Sequence, residues 1–216
     1  MDAHEVGSSV DDYETRFDFQ PGWVDLFLEN RIHAEALGVA GAALERFNPL
    51  ERTVNDRDLL KDLVDRALSL NTDQPDLAAA YYTRGGVGIA DLRVDSYADE
   101  DAPRPTAAEI TPLLLDWSNA KVVGDPNVRY LDLDAGPAVR VQAMLKSKRI
   151  LGFGSQLTEF IKYAVFPPDV GYVVVVTVTW RSMNESEEIV RLTDELVSTM
   201  RQVPRGPEGA EMGSTD

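Results

Sequence analysis

PPDVGYVVVVTVTW, residues 167–180, is the most apolar stretch of this chain, and its reading decides the architecture. The apolar run is about half the roughly 20 residues that a membrane-spanning helix needs. It is β-branched almost throughout, and Val and Thr favour strands. The stretch therefore reads as a strand. Val173 to Val176 is apolar on both faces, so both faces are expected to be covered there. From Val176 the pattern alternates, with Val176, Val178 and Trp180 on one side and Thr177 and Thr179 on the other. A strand buried on both faces is the central strand of a sheet with a layer on each side.

Working outward, residues 185–201 follow as a helix whose stripe is Ile189, Leu192, Leu196, Val197 and Met200, with Ser182 and Glu185 placed to box its start. Upstream, strands are expected over 128–133, 138–145 and 157–166, with turns at Gly136-Pro137, Gly152–Gly154 and Pro167-Pro168. Thr106 and Glu109 form a possible capping box for a helix bearing Leu113, Leu114 and Trp117. Pro112 argues for a later start, with Thr111 as the cap. Earlier still, 76–83 and 86–97 read as two strands around Arg84-Gly85-Gly86, with Ala90, Leu92 and Val94 facing in. Two helices precede them. One runs about 17 residues from Asn30 and is stopped by Pro49; the other is capped by Asn55. An extended segment, 17–19 and 22–28, opens the domain. Successive strands joined by short turns give a mostly antiparallel sheet. The expected class is α+β, with helices on both faces of that sheet as an α/β/α sandwich.

The early FDFQPGWVDL, the late PPDVGYVVVVTVTW and the closing ESEEIVRLTDELVSTMR resemble the PsbP-like fold in pattern and order over residues 17–201. That sandwich is named for an extrinsic subunit of photosystem II. Its relatives include a Ran-binding nuclear import factor and many uncharacterised bacterial proteins. The resemblance implies an accessory or binding protein rather than a well-defined enzyme, and it transfers no site residues. The Arg-over-Lys bias and richness in Ala, Val and Asp look like a high-GC bacterium.

Composition narrows the function further. The 216 residues suffice for one domain, expected over 16–203, between polar tails at 1–15 and 204–216 that read as disordered. The net charge of −16 disfavours nucleic acid and anionic membranes. It suits solubility or a basic partner. No cysteine is present, which excludes thiol nucleophiles and Cys-based metal sites. MDAHEVGSSVDDYETRF has no apolar segment of the Sec type, so a cytoplasmic protein without membrane insertion is the default expectation.

Chemistry-bearing motifs are sparse. His4 lies in the N-terminal tail and His33 near a helix start, too few for a triad or a multi-histidine site. Gly152-Phe153-Gly154-Ser155 lacks the second glycine and the helix of a nucleophile elbow. Arg84-Gly85-Gly86-Val87-Gly88 lacks the lysine of a phosphate loop. Asp91 with Asp95, and Asp132 with Asp134, alternate at strand spacing; such pairs bind divalent cations, split acid and base roles, or simply face solvent. The least ordinary feature is Lys146-Ser147-Lys148-Arg149-Ile150-Leu151-Gly152-Phe153-Gly154, a basic cluster with an apolar tip in an acidic chain. Lys146, Lys148, Arg149, Ile150, Leu151 and Phe153 are the expected partner-binding residues. The alternative is a solvated turn whose apolar side chains tuck into the core. The reading is thus a non-enzymatic protein-binding or accessory module without cofactor. Two other readings remain: an acidic adaptor or chaperone-like factor for a basic client, and a divalent-metal enzyme using carboxylates.

Overall fold

The computed structural model describes residues 13–99, 102–148, 155–168 and 170–204. It is α+β. In chain order the elements are β1 (Tyr13–Arg16), β2 (Trp23–Asp25), α1 (His33–Leu44), α2 (Asp56–Leu70), β3 (Leu77–Tyr82), β4 (Gly88–Tyr97), α3 (Ala107–Leu114), β5 (Ala120–Leu133), β6 (Gly136–Lys148), β7 (Ser155–Val165), β8 (Val173–Trp180), α4 (Ser186–Ser198) and β9 (Arg201–Pro204). Seven strands form one sheet in the order β2-β3-β4-β8-β7-β6-β5, and β1 pairs with β9 in a separate ribbon. Every one of these pairings is antiparallel.

The valine strand is the fourth of the seven, at the middle of the sheet. Val174, Val176, Val178 and Trp180 pack with Leu92 and Val94 of β4, Ile161 of β7, and Ile189, Leu196 and Val197 of α4. Val173 and Val175 point the other way, into a cluster with Val141, Phe160 and α3 residues Ile110 and Leu114. A third cluster seats Ala36 and Ala40 of α1 and Leu59, Leu63 and Ala67 of α2 on Val24, Leu26, Ala80 and Tyr82. The double burial read from sequence is therefore real, and each face of β8 belongs to a different cluster.

Several elements differ from the sequence expectation. α1 is shorter than 17 residues because Glu35 accepts from the backbone N–H groups of Glu29 (2.7 Å) and Asn30 (2.9 Å), which holds that segment outside the helix. Arg31, with φ of 54°, turns the chain into α1. α2 begins as expected, Asn55 accepting from Asp58 N at 3.0 Å. At its far end the buried Asn71 side chain bonds Leu28 N (3.0 Å) and Leu26 O (2.9 Å), so it satisfies backbone groups just beyond β2. α3 starts at the earlier of the two caps. Thr106 and Glu109 form the capping box, and Pro112 lies inside the helix rather than at its first position. β5 starts at Ala120, not 128: residues 120–123 already pair with β6, and the pairing resumes at Asn127 after a register shift. Gly124 with φ of 75° allows that bulge, and Pro126 is tolerated on an edge strand. Ser182 makes no cap for α4; a 3-10 turn, Met183–Glu185, intervenes. The chain leaves α4 at Thr199, so Arg201 is strand, not helix. Residues 13–15 and Pro204, expected in tails, belong to the β1–β9 ribbon.

Candidate functional site

The start of β5, the end of β6 and the start of β7 build one wall of a groove. Register places Lys121 of β5 directly opposite Lys146 of β6, and Lys148 opposite Ser155 of β7. Strand alternation puts Lys121, Lys146 and Lys148 on one side, and Ser147 and Gln156 on the other. The connection from α3 to β5, Asp116 to Asn119, forms the facing wall, held by Trp117 edge-on against Phe160 at 5.1 Å. Arg181, the residue after β8, closes the inner end. The space is about 1580 Å³. A smaller cavity of about 320 Å³ adjoins it through the shared residues Thr158 and Arg181, and is lined by Asp62, Asp65 and Arg66 of α2 and Asp91 of β4.

The two spaces differ in charge. The larger carries Lys121, Lys146, Lys148 and Arg181 against the single carboxylate of Asp116, in a chain of 37 acidic and 21 basic residues. None of these four cations makes a salt bridge among the described residues. Gln156, with its amide oxygen toward the guanidinium, accepts from Arg181 Nε at 2.5 Å. The smaller space is self-neutralised. Arg66 donates to Asp62 (2.9 Å), to Gly88 O (2.9 Å) and to Asp91, while Tyr82 donates to Asp62 (2.7 Å). Burial raises the Asp91 carboxyl above its ordinary value, and Arg66 opposes that rise. Burial and the bond to Asp62 push the Tyr82 hydroxyl up.

Lys162 of β7 stands behind Trp117, its Nζ 4.0 Å from the ring centroid. Burial pushes its amine down to about 8; Asp95 and Asp116 favour the charged form and Arg93 opposes it. The sign follows from linkage. The unfolded chain keeps this proton up to the ordinary value of 10.5, so between about pH 8 and pH 10.5 the unfolded state binds more protons. The contribution of Lys162 to stability therefore rises with pH across that window. Denaturant unfolding of wild type and Lys162→Met at pH 7 and pH 10 is expected to show wild type gaining on the variant at the higher pH. A Lys162 titration midpoint near 10.5 by NMR would count against it.

Of the residues singled out in the sequence, Lys146 and Lys148 line the groove. Arg149, Ile150, Leu151 and Phe153 lie outside the described residues. Asp91 is held by Arg66, and Asp95 takes a forked pair from Arg93 at 2.8–3.0 Å. Asp132 and Asp134 are exposed on the β5–β6 hairpin, and His33 is exposed at the start of α1. Ser155 opens a strand. Among the described residues no group of three or more His, Asp or Glu is placed to hold a metal ion, and no helix is long and apolar enough to cross a membrane. Sequence reasoning missed Lys121, which reaches the groove through its pairing with β6, and Arg181, which follows the end of β8; neither carries a local signal that marks it. No protein-family model matches the chain, and no curated protein does. Chemically, the groove face carries the side chains of Ser147, Gln156 and Thr158 with Arg181, while Lys121, Lys146 and Lys148 border it from strand positions whose side chains alternate to the opposite face.

Proposed function

We propose that the protein is a non-enzymatic binding or accessory module, a PsbP-like α/β/α sandwich that docks a protein partner at the end of the β6–β7 hairpin. The observation that carries this reading is the local reversal of charge: four cations and one carboxylate line one groove of a −16 chain. A surface field of opposite sign to the rest of the molecule orients an incoming partner and sets where it lands. Support for the sandwich comes from the clusters on either side of β8, with α4 in one and α3 in the other.

The test is site-specific photo-crosslinking in cells of the source organism. A photoreactive residue replaces Lys148 in one variant and Leu50 in another; Leu50 is exposed between α1 and α2, which pack at the β2–β3 end of the sheet, whereas β6 lies toward the other end. A defined protein adduct from position 148 that is absent at position 50, and is lost when Lys146→Glu is added, is the expected result. Equal adducts from both positions, or none from 148, would remove the hairpin end as the docking site.

A further inference from the structure

Of the chain's lysines, Lys61, Lys121, Lys146 and Lys148 are exposed, and only Lys162 is half-buried. It projects from β7 onto the face of the sheet that carries Phe160 and Ala164. On that face α2 packs over β3 and β4, and α3 over β6 and β7. Between them, Thr177 and Thr179 of the central strand are half-buried. Register sets Arg93, Thr177 and Lys162 in one row across β4, β8 and β7.

The surroundings of the Lys162 amine are those of a nucleophile and not of a structural cation. Its Nζ lies 4.0 Å from the Trp117 ring centroid and 5.9 Å from that of Phe160. Among the described residues it makes no hydrogen bond and no salt bridge. Asp95, the nearest influence that favours its charge, is held in a forked pair by Arg93. The Thr177 hydroxyl, directly opposite on the same face, is also without a hydrogen bond among the described residues. An amine desolvated by rings, close to a second cation and lacking a carboxylate is the setting in which lysine attacks electrophiles. Burial pushes it down to about 8, so about a tenth is neutral at pH 7, against roughly one part in three thousand at the ordinary value.

We propose that Lys162 is a covalent capture site for a small uncharged aldehyde or ketone, with Thr177 as the neighbour that moves protons. In each of two steps the nitrogen gives up one proton and the oxygen takes one. First the neutral amine attacks the carbonyl carbon, and a new C–N bond gives a carbinolamine. Then the C–O bond breaks, one water leaves, and an imine remains. No oxidant or reductant is consumed. A threonine hydroxyl both donates and accepts, which suits it to pass each proton across. Trp117 and Phe160 supply apolar walls. Arg93, the cation of the row, is already taken by Asp73 and Asp95, so it is not free to receive a carboxylate on the ligand.

The probe is propionaldehyde with sodium cyanoborohydride at pH 7.5, applied to the full chain. The reductant turns the imine into a propyl-lysine that peptide mass spectrometry assigns to a residue. Lys162 is expected to label at least about tenfold faster than Lys61, Lys121, Lys146 and Lys148. The preference is expected to vanish in urea, where burial is lost. Thr177→Val keeps the shape of the side chain and removes its hydroxyl. It is expected to slow aldehyde labelling of Lys162 at least about threefold. Acetylation of Lys162 by an N-hydroxysuccinimide ester, whose leaving group departs without a proton, is expected to be unchanged. Glyoxylate, an aldehyde bearing a carboxylate, is expected to show no preference for Lys162. Labelling of Lys162 no faster than of the exposed lysines, a preference that survives urea, or a Thr177→Val effect on both reagents or on neither would each overturn the inference. An equal preference with glyoxylate would overturn the uncharged class.

Discussion

Replacing Asp194 by alanine is expected to cost about 3 kcal/mol of folding stability, at the lower end of the range for breaking a buried ion pair. Arg140 of β6 is 3% exposed, and sits directly opposite Tyr163 of β7. Its Nε donates to the Tyr163 hydroxyl at 3.0 Å and to Asp194 of α4 at 3.1 Å, and its Nη2 donates to Gln142 at 3.2 Å. Tyr163 also donates to Asp194. Burial, and then the bond to Asp194, push the Tyr163 hydroxyl up, so it stays a donor at neutral pH. One carboxylate thus serves a buried guanidinium and a buried phenol together. Its own side chain is 46% exposed, which is why the lower end of the range applies. Without it the Arg140 charge stays under α4 with only neutral partners. Urea unfolding checks the value, and the double variant Arg140→Met/Asp194→Leu is expected to recover much of the loss by removing both charges. A loss below about 1 kcal/mol, the size of a surface pair, would mean that water reaches Arg140.

Trp180→Ala is expected to cost about 4 kcal/mol. Trp180 ends β8 between Ala90 of β4 and Glu159 of β7 and is 2% exposed. Its indole N–H donates to Ser186 Oγ at 2.8 Å, at the first residue of α4. Truncation leaves a void at the end of the central strand and frees the start of the helix that covers it. Trp180→Phe keeps most of the volume and removes the hydrogen bond, so about 1–2 kcal/mol is expected there. Thermal unfolding should fall by roughly 2–4 °C per kcal/mol in a chain of this size. A Trp180→Ala loss under about 2 kcal/mol would show that the surrounding strands collapse into the space.

The sheet was legible where the signal was local. The Val173–Val176 run marked the central strand because burial on both faces leaves no polar alternation, and α2 announced itself through the Asn55 cap and its stripe. The β1–β9 ribbon was not legible. YETR and RQVP are four residues each, polar, and paired across nearly the whole chain, so neither carries a period or a turn that points to the other. Pro112 misdirected the start of α3 because propensity favours proline in the first turn, whereas the reciprocal Thr106–Glu109 bonds hold the earlier start. At the groove, Lys146 and Lys148 stood out as a local excess of charge. Lys121 lies 25 residues before Lys146 and is set opposite it by register, while Arg181 lies 35 residues after Lys146 and joins the lining from the end of β8.

The ribbon also decides how the molecule answers to tension. Tyr13 lies beside Pro204 and Arg16 beside Arg201, so the strands β1 and β9 enter and leave at the same end. A force that draws residues 13 and 204 apart loads this ladder one rung at a time, the geometry of an opening zipper rather than of two plates in shear. The ribbon yields first and releases slack, and the valine strand, held on both sides by long neighbours, bears load only afterwards. A chain held at both ends would have a mechanical fuse at the ribbon, leaving the groove intact while it opens.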